Sequence, residues 1–158
     1  MAQPLPPETP PLQLNEADLA DLAALADAVI PPSETYRVPG ASDPAIVQGI
    51  LKDARRRPAA ITNALAALAR LTPDGARYSD LPPADRAAVT AAFREAEPRL
   101  ADGVAKLVAQ AYYRDARVMT SLGMETRPPA PQGFDLKDGD WSLLEPVKRR
   151  ERLYRPTS

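Results

Sequence analysis

The stretch NEADLADLAALADAVIPP, residues 15–32, gives the clearest indication of how this chain folds. Asn15 is a favourable N-cap, and the acidic residues that follow it suit the positive end of a helix. Pro31 and Pro32 end the helical region, because a proline disfavours helical backbone at the residue before it. Between these limits the apolar residues recur at helical spacing and make one stripe: Leu19, Leu22, Leu25, Ala26 and Val29. The stretch therefore predicts an amphipathic α-helix.

The same pattern recurs along the chain as far as Gly123. Prolines or turn residues separate segments of helical spacing, which predict helices from Asp43-Pro44 onward and over 59–71, 84–96, 99–113 and 116–122. Their inward-facing residues are predicted to be Ile46, Val47, Ile50, Leu51, Ile61, Leu65, Leu68, Leu71, Val89, Ala92, Phe93, Leu100, Val104, Leu107, Val108 and Ala111. No strand pattern stands out. We expect an all-α fold, a small bundle of about four to six short helices with an extended C-terminal arm.

The chain divides into three parts by composition. Residues 1–14 are rich in proline and should be disordered or extended, and residues 15–123 should form the helical domain. Residues 124–158 show no sustained periodicity, but they contain the only tryptophan and several other large apolar residues, which a disordered tail should lack. We therefore interpret residues 124–158 as an extended partner-binding arm, with a short helical turn near Trp141 to Leu144.

The absence of cysteine and histidine excludes several kinds of functional site. Disulfides, thiolate nucleophiles, iron–sulfur ligation and c-type haem attachment all need cysteine. The commonest zinc, copper and iron sites need imidazole or thiolate. The sequence also shows no phosphate-binding glycine loop and no dinucleotide fingerprint. We therefore expect no catalytic residue, no bound cofactor and no metal on this chain.

Charge and hydropathy argue against nucleic acid and membrane as direct partners of the chain. Basic and acidic residues nearly balance, 20 against 21, so the chain lacks the basic stripe that nucleic-acid binding requires. No apolar run approaches the roughly 20 residues that span a bilayer, so we expect no direct membrane insertion. Residues 1–15 contain no basic cluster, twin arginine or apolar core, which predicts no export signal and a cytoplasmic location. Export to the periplasm together with a partner is the alternative.

Two clusters of side chains have more than one interpretation. Asp18, Asp21 and Asp27 lie roughly on one side of the first helix, and we interpret them as a solvated face rather than as a metal site. In the pair Tyr112 and Tyr113, either one ring packs in the core while the other is half-exposed, or one ring is an interface anchor. Both interpretations of the tyrosine pair stay open.

The segment RPPAPQGF, residues 127–134, has polyproline character. One interpretation is a ligand for a proline-recognition domain. We favour a stiff strap that loses little entropy when it docks, because the segment continues into apolar anchors. The predicted partner-binding residues are Tyr112, Tyr113, Arg127, Pro128, Pro129, Pro131, Phe134, Trp141, Leu143, Leu144 and Tyr154.

Several short motifs, taken in order, resemble the gluconate 2-dehydrogenase subunit 3 family. LADAVIPP at residues 25–32, followed by PGA at 39–41, is similar to the opening of that family. The closing signature of the family is similar to YYRD at 112–115, LG at 122–123, RPP at 127–129 and PQGF at 131–134. The resemblance covers residues 15–135, most of the chain. Many members of the family begin with a twin-arginine export signal, and residues 1–15 show none.

The resemblance implies a small, cofactor-free subunit that assists the folding, stability and often the export of a larger protein. Its partner would be a large flavoprotein of the glucose–methanol–choline oxidoreductase type, which holds FAD and oxidises a sugar, a sugar acid or another alcohol. Some complexes add a cytochrome c subunit. We therefore expect a non-catalytic accessory subunit of a hetero-oligomer. The alternatives are a stand-alone helical enzyme that uses carboxylates and tyrosines, and a helical scaffold protein with a proline-rich ligand segment.

Overall fold

The computed structural model describes residues 12, 14–73, 75–128, 130, 131, 133 and 139–151. These residues form seven α-helices, two short 3₁₀ helices and no strand beyond an isolated bridge between Ser33 and Val38, so the all-α prediction is confirmed. The α-helices are α1 Glu16–Val29, α2 Pro44–Ala54, α3 Pro58–Leu71, α4 Pro83–Ala96, α5 Pro98–Tyr112, α6 Ala116–Ser121 and α7 Glu145–Lys148. The 3₁₀ helices are Tyr78–Asp80 and Trp141–Leu144. None of the described helices is long and apolar enough to cross a membrane.

Capping residues and prolines start the helices close to the predicted positions. The side chain of Asn15 accepts a hydrogen bond from the backbone N–H of Asp18 at 2.8 Å, and Asp43 accepts one from Ala45 at 3.0 Å. Helices α2, α3, α4 and α5 each begin with proline, whose missing N–H costs nothing at that position. The predicted starts of α3, α4 and α5 are one residue late, because the proline placed just before each helix is itself the first helical residue.

Helix α5 is the central element of the first compact unit, Met1–Thr126. It contacts α1, α2, α3 and α4. Gly49 of α2 faces Ala111 of α5 so closely that an added Cβ would lie 3.3 Å from the alanine Cβ. The largest fully buried side chains of this unit are Leu22, Ile46, Ile50, Ile61, Leu68, Tyr78, Phe93, Val104 and Val108. The helices therefore approach closely across small residues around one core.

Two parts of the core differ from the predictions. Ala92 was predicted to face inward, but it is exposed, because the buried stripe of α4 consists of Val89 and Phe93 and leaves Ala92 on its flank. Tyr78 is 1% exposed, although no apolar periodicity marks its short 3₁₀ helix. Its hydroxyl lies 2.7 Å from the hydroxyl of Thr90, so this polar group is hydrogen-bonded inside the core.

The interpretation of the α1 carboxylates as a solvated face is wrong for Asp21, which is 6% exposed. Its carboxylate accepts a hydrogen bond from the backbone N–H of Ser79 at 2.9 Å and pairs with Arg77 at 2.7 Å. The same guanidinium pairs with Asp18 at 2.7 Å. Asp27 accepts a hydrogen bond from a serine hydroxyl at 2.9 Å. These carboxylates therefore tie the loop before α4, and the loop before α2, to the first helix.

The second compact unit is Arg127–Ser158, in which residues 139–151 contain one helical segment. Asp140 caps this segment by accepting a hydrogen bond from the backbone N–H of Ser142 at 3.0 Å. The 3₁₀ helix Trp141–Leu144 leads directly into α7, so this part of the predicted extended arm is helical as far as Lys148. The proline-rich segment 1–14 lies outside the described residues except for its residues 12 and 14.

Candidate partner-binding surface

The two neighbouring tyrosines of the predicted surface have different environments. Tyr112 is 4% exposed and donates its hydroxyl hydrogen to the backbone oxygen of Pro39 at 3.2 Å. Burial raises the pKa of the Tyr112 hydroxyl. Tyr113 is 54% exposed, and its ring meets that of Tyr112 edge to face with 5.3 Å between centroids. Of the two rings, Tyr113 is therefore the accessible one, and Tyr112 supports it from the core.

Ion pairs fix the corner between α5 and α6. Arg117 of α6 binds the carboxylate of Asp43, the N-cap of α2, at 2.9 Å, and that of Asp115 at 2.8 Å. Arg114 pairs with Asp53 of α2. Hydrogen bonds from the Arg117 guanidinium lower the pKa of both Asp43 and Asp115. The pairs with Asp43 and Asp53 join residues more than 60 positions apart in sequence and hold the end of α5 and the start of α6 against α2.

Three large apolar side chains flank α6 and face solvent. Leu122 and Met124 are each 53% exposed, and Tyr113 precedes the helix. Gly123, between the first two, has a φ of +70°, which is the left-handed conformation of a glycine that ends a helix. We name Tyr113, Leu122 and Met124 the α6 corner. Leu122 and Met124 are not among the predicted site residues. Their position on either side of a glycine that ends a helix is the sequence feature that could have indicated them.

The described helical segment of the second unit presents four large apolar side chains to solvent. Trp141 is 71% exposed, Leu143 73%, Leu144 42% and Val147 55%. A spacing of three residues places Trp141, Leu144 and Val147 along one side of the segment. Val147 is not among the predicted site residues, although this spacing indicates it. We name residues 141–147 the apolar segment.

Polar side chains at the two ends of the apolar segment stabilise its first and last turns, but the segment has no buried core of its own. Hydrogen bonds from Ser142 lower the pKa of the Asp140 carboxyl. Lys148 pairs with Glu145 at 2.9 Å. Neither the 3₁₀ helix nor α7 buries a side chain. Helices this short are marginal in water without packing, so the segment is suited to gain stability from a surface that it binds.

The structure describes only some of the other predicted partner-binding residues. Pro128 and Pro131 are exposed, and Arg127 is half-buried. Pro129, Phe134 and Tyr154 lie outside the described residues. In the part of the chain that the structure describes, no three acidic side chains lie close enough together to hold a metal ion.

The family resemblance rests on the sequence motifs, and comparisons of this chain with models of known protein families, with curated proteins and with solved structures found no match.

Proposed function

We propose that the chain is a non-catalytic small subunit that binds and stabilises a large FAD-dependent oxidoreductase of the glucose–methanol–choline type. The partner holds the FAD and oxidises a sugar, a sugar acid or another alcohol. This chain contributes contact surface rather than reacting groups. The order of the sequence motifs and the lack of cysteine and histidine support the proposal.

The observation that carries the proposal is the exposed apolar segment. Clusters of exposed apolar side chains mark protein–protein contacts, and tryptophan is enriched among the residues that dominate binding energy. Its four large side chains are 42–73% exposed. Full burial of one such side chain contributes about 1.5–3 kcal/mol, so covering the part of these four that is still exposed provides roughly 4–7 kcal/mol before the costs of association.

A contact of that strength acts on the partner through mass action. A protein that binds only the folded partner stabilises it by about 2.7 kcal/mol when its free concentration is about 100 times Kd. Folded proteins are stable by only about 5–15 kcal/mol, so this shift decides whether a marginal catalytic subunit stays folded. The subunit therefore works in the manner of a chaperone that remains bound. A cytochrome c subunit would join the complex as a separate chain.

The α6 corner offers a second contact on the helical body. Tyr113 is held by the buried ring of Tyr112, and the ion pairs of Arg117 hold α6 in place. Anchors that are ordered before binding lose little side-chain entropy in the complex. Two contacts on one chain also raise the effective concentration of the second once the first has formed.

The test is co-expression of the tagged chain with a glucose–methanol–choline type flavoprotein from the same genome. We expect the full chain to co-purify with the flavoprotein and to increase its yield with bound FAD. A chain truncated after Thr126, at the boundary between the two compact units, should lose most of both effects. Circular dichroism of the truncated chain is the control for folding. Failure of the full chain to co-purify would refute the proposed function, whereas equal performance of the truncated chain would refute the role of the apolar segment.

A further inference from the structure

One guanidinium group joins the first turns of α2 and α6. Arg117 donates from Nε and Nη2 to the two carboxylate oxygens of Asp115, at 2.9 and 2.8 Å. It donates from Nη1 and Nη2 to the two carboxylate oxygens of Asp43, each at 2.9 Å. These two carboxylates are the N-caps of α6 and α2, and each also accepts a hydrogen bond from a backbone N–H of its own helix. We name Arg117, Asp43 and Asp115 the cap bridge.

Helix α6 has few other contacts that fix its orientation. Among its six described residues, Val118 is the one buried side chain. A helix of this length is marginal in water, so its order depends on the contacts at its ends. A single exposed ion pair stabilises a protein little, but here one planar group makes two hydrogen bonds to each of two carboxylates that are already fixed as caps. The cap bridge is therefore a main contact that orders α6 against α2.

The cap bridge requires the shape of arginine as well as its charge. The guanidinium presents its N–H groups in one plane, which lets Arg117 bind two carboxylates at once with both oxygens of each. A lysine ammonium at the same position is a point charge and cannot reproduce this double fork. A lysine substitution therefore separates the geometry of the bridge from its charge.

The orientation of α6 decides where two residues of the α6 corner lie. The backbone N–H of Leu122 donates to the backbone oxygen of Val118 at 3.2 Å, and that of Met124 donates to the oxygen of Met119 at 2.9 Å. Both residues are thus attached to the last turn of α6, and their exposed side chains move with it. The cap bridge shares no residue with the α6 corner, so it acts on that surface only through the helix.

We propose that Arg117 is a positioning residue for partner binding. By joining the caps of α2 and α6, it holds α6 in the orientation that presents Leu122 and Met124 to the partner, and it does not contact the partner itself. Without the bridge α6 is ordered for only a fraction of the time, and the apparent affinity falls by that fraction. The inference rests on the proposed function and adds a residue that controls one of its contacts.

The first test uses hydrogen exchange of the isolated chain. In Arg117→Ala and Arg117→Lys, the amide hydrogens of residues 118–124 should exchange about three- to tenfold faster than in wild type. Arg70→Ala is the matched control, because Arg70 is a similarly exposed arginine whose ion pair, with Glu97 at 3.3 Å, does not involve α6. The control should leave the exchange of residues 118–124 unchanged.

The second test measures Kd with a glucose–methanol–choline type flavoprotein from the same genome. Arg117→Ala should raise Kd by about three- to tenfold, and Arg70→Ala should change it by less than about twofold. In a chain that already carries Leu122→Ala and Met124→Ala, the further change Arg117→Ala should add less than about twofold, because the side chains that it positions are absent. Circular dichroism checks that each variant keeps its helix content.

The outcomes separate this inference from the proposed function. Unchanged exchange of residues 118–124 in Arg117→Ala would overturn the positioning role, whether or not the chain binds the flavoprotein. An undiminished effect of Arg117→Ala in the chain without Leu122 and Met124 would show a direct contact with the partner and would also overturn it. Faster exchange combined with no binding by the wild-type chain would overturn the proposed function, and the partner-positioning role with it, while leaving the cap bridge as a contact that orders α6.

Discussion

Replacement of Trp141 by alanine should weaken the complex without affecting the isolated chain. A tryptophan buries about 150–250 Å². With Trp141 at 71% exposure, about 110–180 Å² is left for a partner to cover, which corresponds to about 2.7–4.4 kcal/mol at about 25 cal/mol per Å². Ordering the side chain on binding costs about 0.5–1.5 kcal/mol. The net loss should be about 2–3 kcal/mol, or about a 30- to 150-fold increase in Kd.

Calorimetric titration of the flavoprotein with wild-type and Trp141→Ala chains measures this ratio. Tyr36→Ala is the matched control, because Tyr36 is an aromatic residue of similar exposure, 66%, on the loop between α1 and α2 and outside both proposed contacts. The control should change Kd by less than about twofold. The unfolding temperature of isolated Trp141→Ala chain should match that of wild type. A Kd within about twofold of wild type for Trp141→Ala would refute the assignment of this residue as a binding anchor.

Four further predictions concern the fold that carries these surfaces. Gly40→Ala should destabilise the chain by about 1–3 kcal/mol in urea denaturation, because an added Cβ would lie 2.8 Å from a proline ring and collide with a carboxylate. Gly103→Ala, inside α5 with open space around it, should instead stabilise by about 0.5–1 kcal/mol. Asp21→Ala should cost about 1–3 kcal/mol in the same assay, because it leaves a backbone N–H of the following loop without its acceptor. The lowered pKa values of Asp43 and Asp115 predict a contribution to stability that is present above roughly pH 4–5 and is lost as the pH falls through those values. Asp43→Asn should therefore flatten the dependence of the urea midpoint on pH between about pH 2 and 5.

Each of these predictions has a contradicting outcome, which for Gly103→Ala is a stability at or below that of wild type. Equal stability of Gly40→Ala and wild type would show that the backbone does not approach α1 as closely as the structure has it. An Asp21→Ala chain as stable as wild type would show that this carboxylate does not stabilise the loop before α4. Identical pH profiles for Asp43→Asn and wild type would show that the ion pair with α6 contributes nothing to folding.

The helices were predictable because their limits depend on neighbouring residues. Asn15 and Asp43 cap the backbone two or three positions ahead of them, and a proline shapes only the turn in which it lies. The stripes of apolar residues at helical spacing then indicate most of the buried face. Local chemistry of this kind explains why the all-α class and the helix positions were correct to within about one residue.

Side-chain placement was less predictable where the partner is distant in sequence. Asp21 is on the same side of α1 as other carboxylates, and only Ser79, 58 positions later, makes it a buried acceptor. Tyr78 belongs to a helix of three residues, which is too short to show a period. Tyr112 and Tyr113 are adjacent in sequence. Tyr112 is the one that is buried, and its hydroxyl bonds to the backbone of Pro39, 73 positions away. No local signal contains this information.

The candidate surfaces were predictable in part. The sequence indicates that Trp141, Leu143 and Leu144 form an apolar cluster in a region without long helices. It does not show that this cluster is helical as far as Lys148, because a segment of this length has little intrinsic preference.

The most direct measurement follows the single tryptophan of the chain by fluorine NMR. Trp141 is the only tryptophan, so a chain labelled with 5-fluorotryptophan gives one resonance, which reports on solvent contact at that site alone. Addition of unlabelled flavoprotein should shift this resonance and remove its dependence on the ratio of H₂O to D₂O, because a second polypeptide then covers the ring. A resonance that keeps its position and its solvent dependence in a complex shown by gel filtration to have formed would contradict the account.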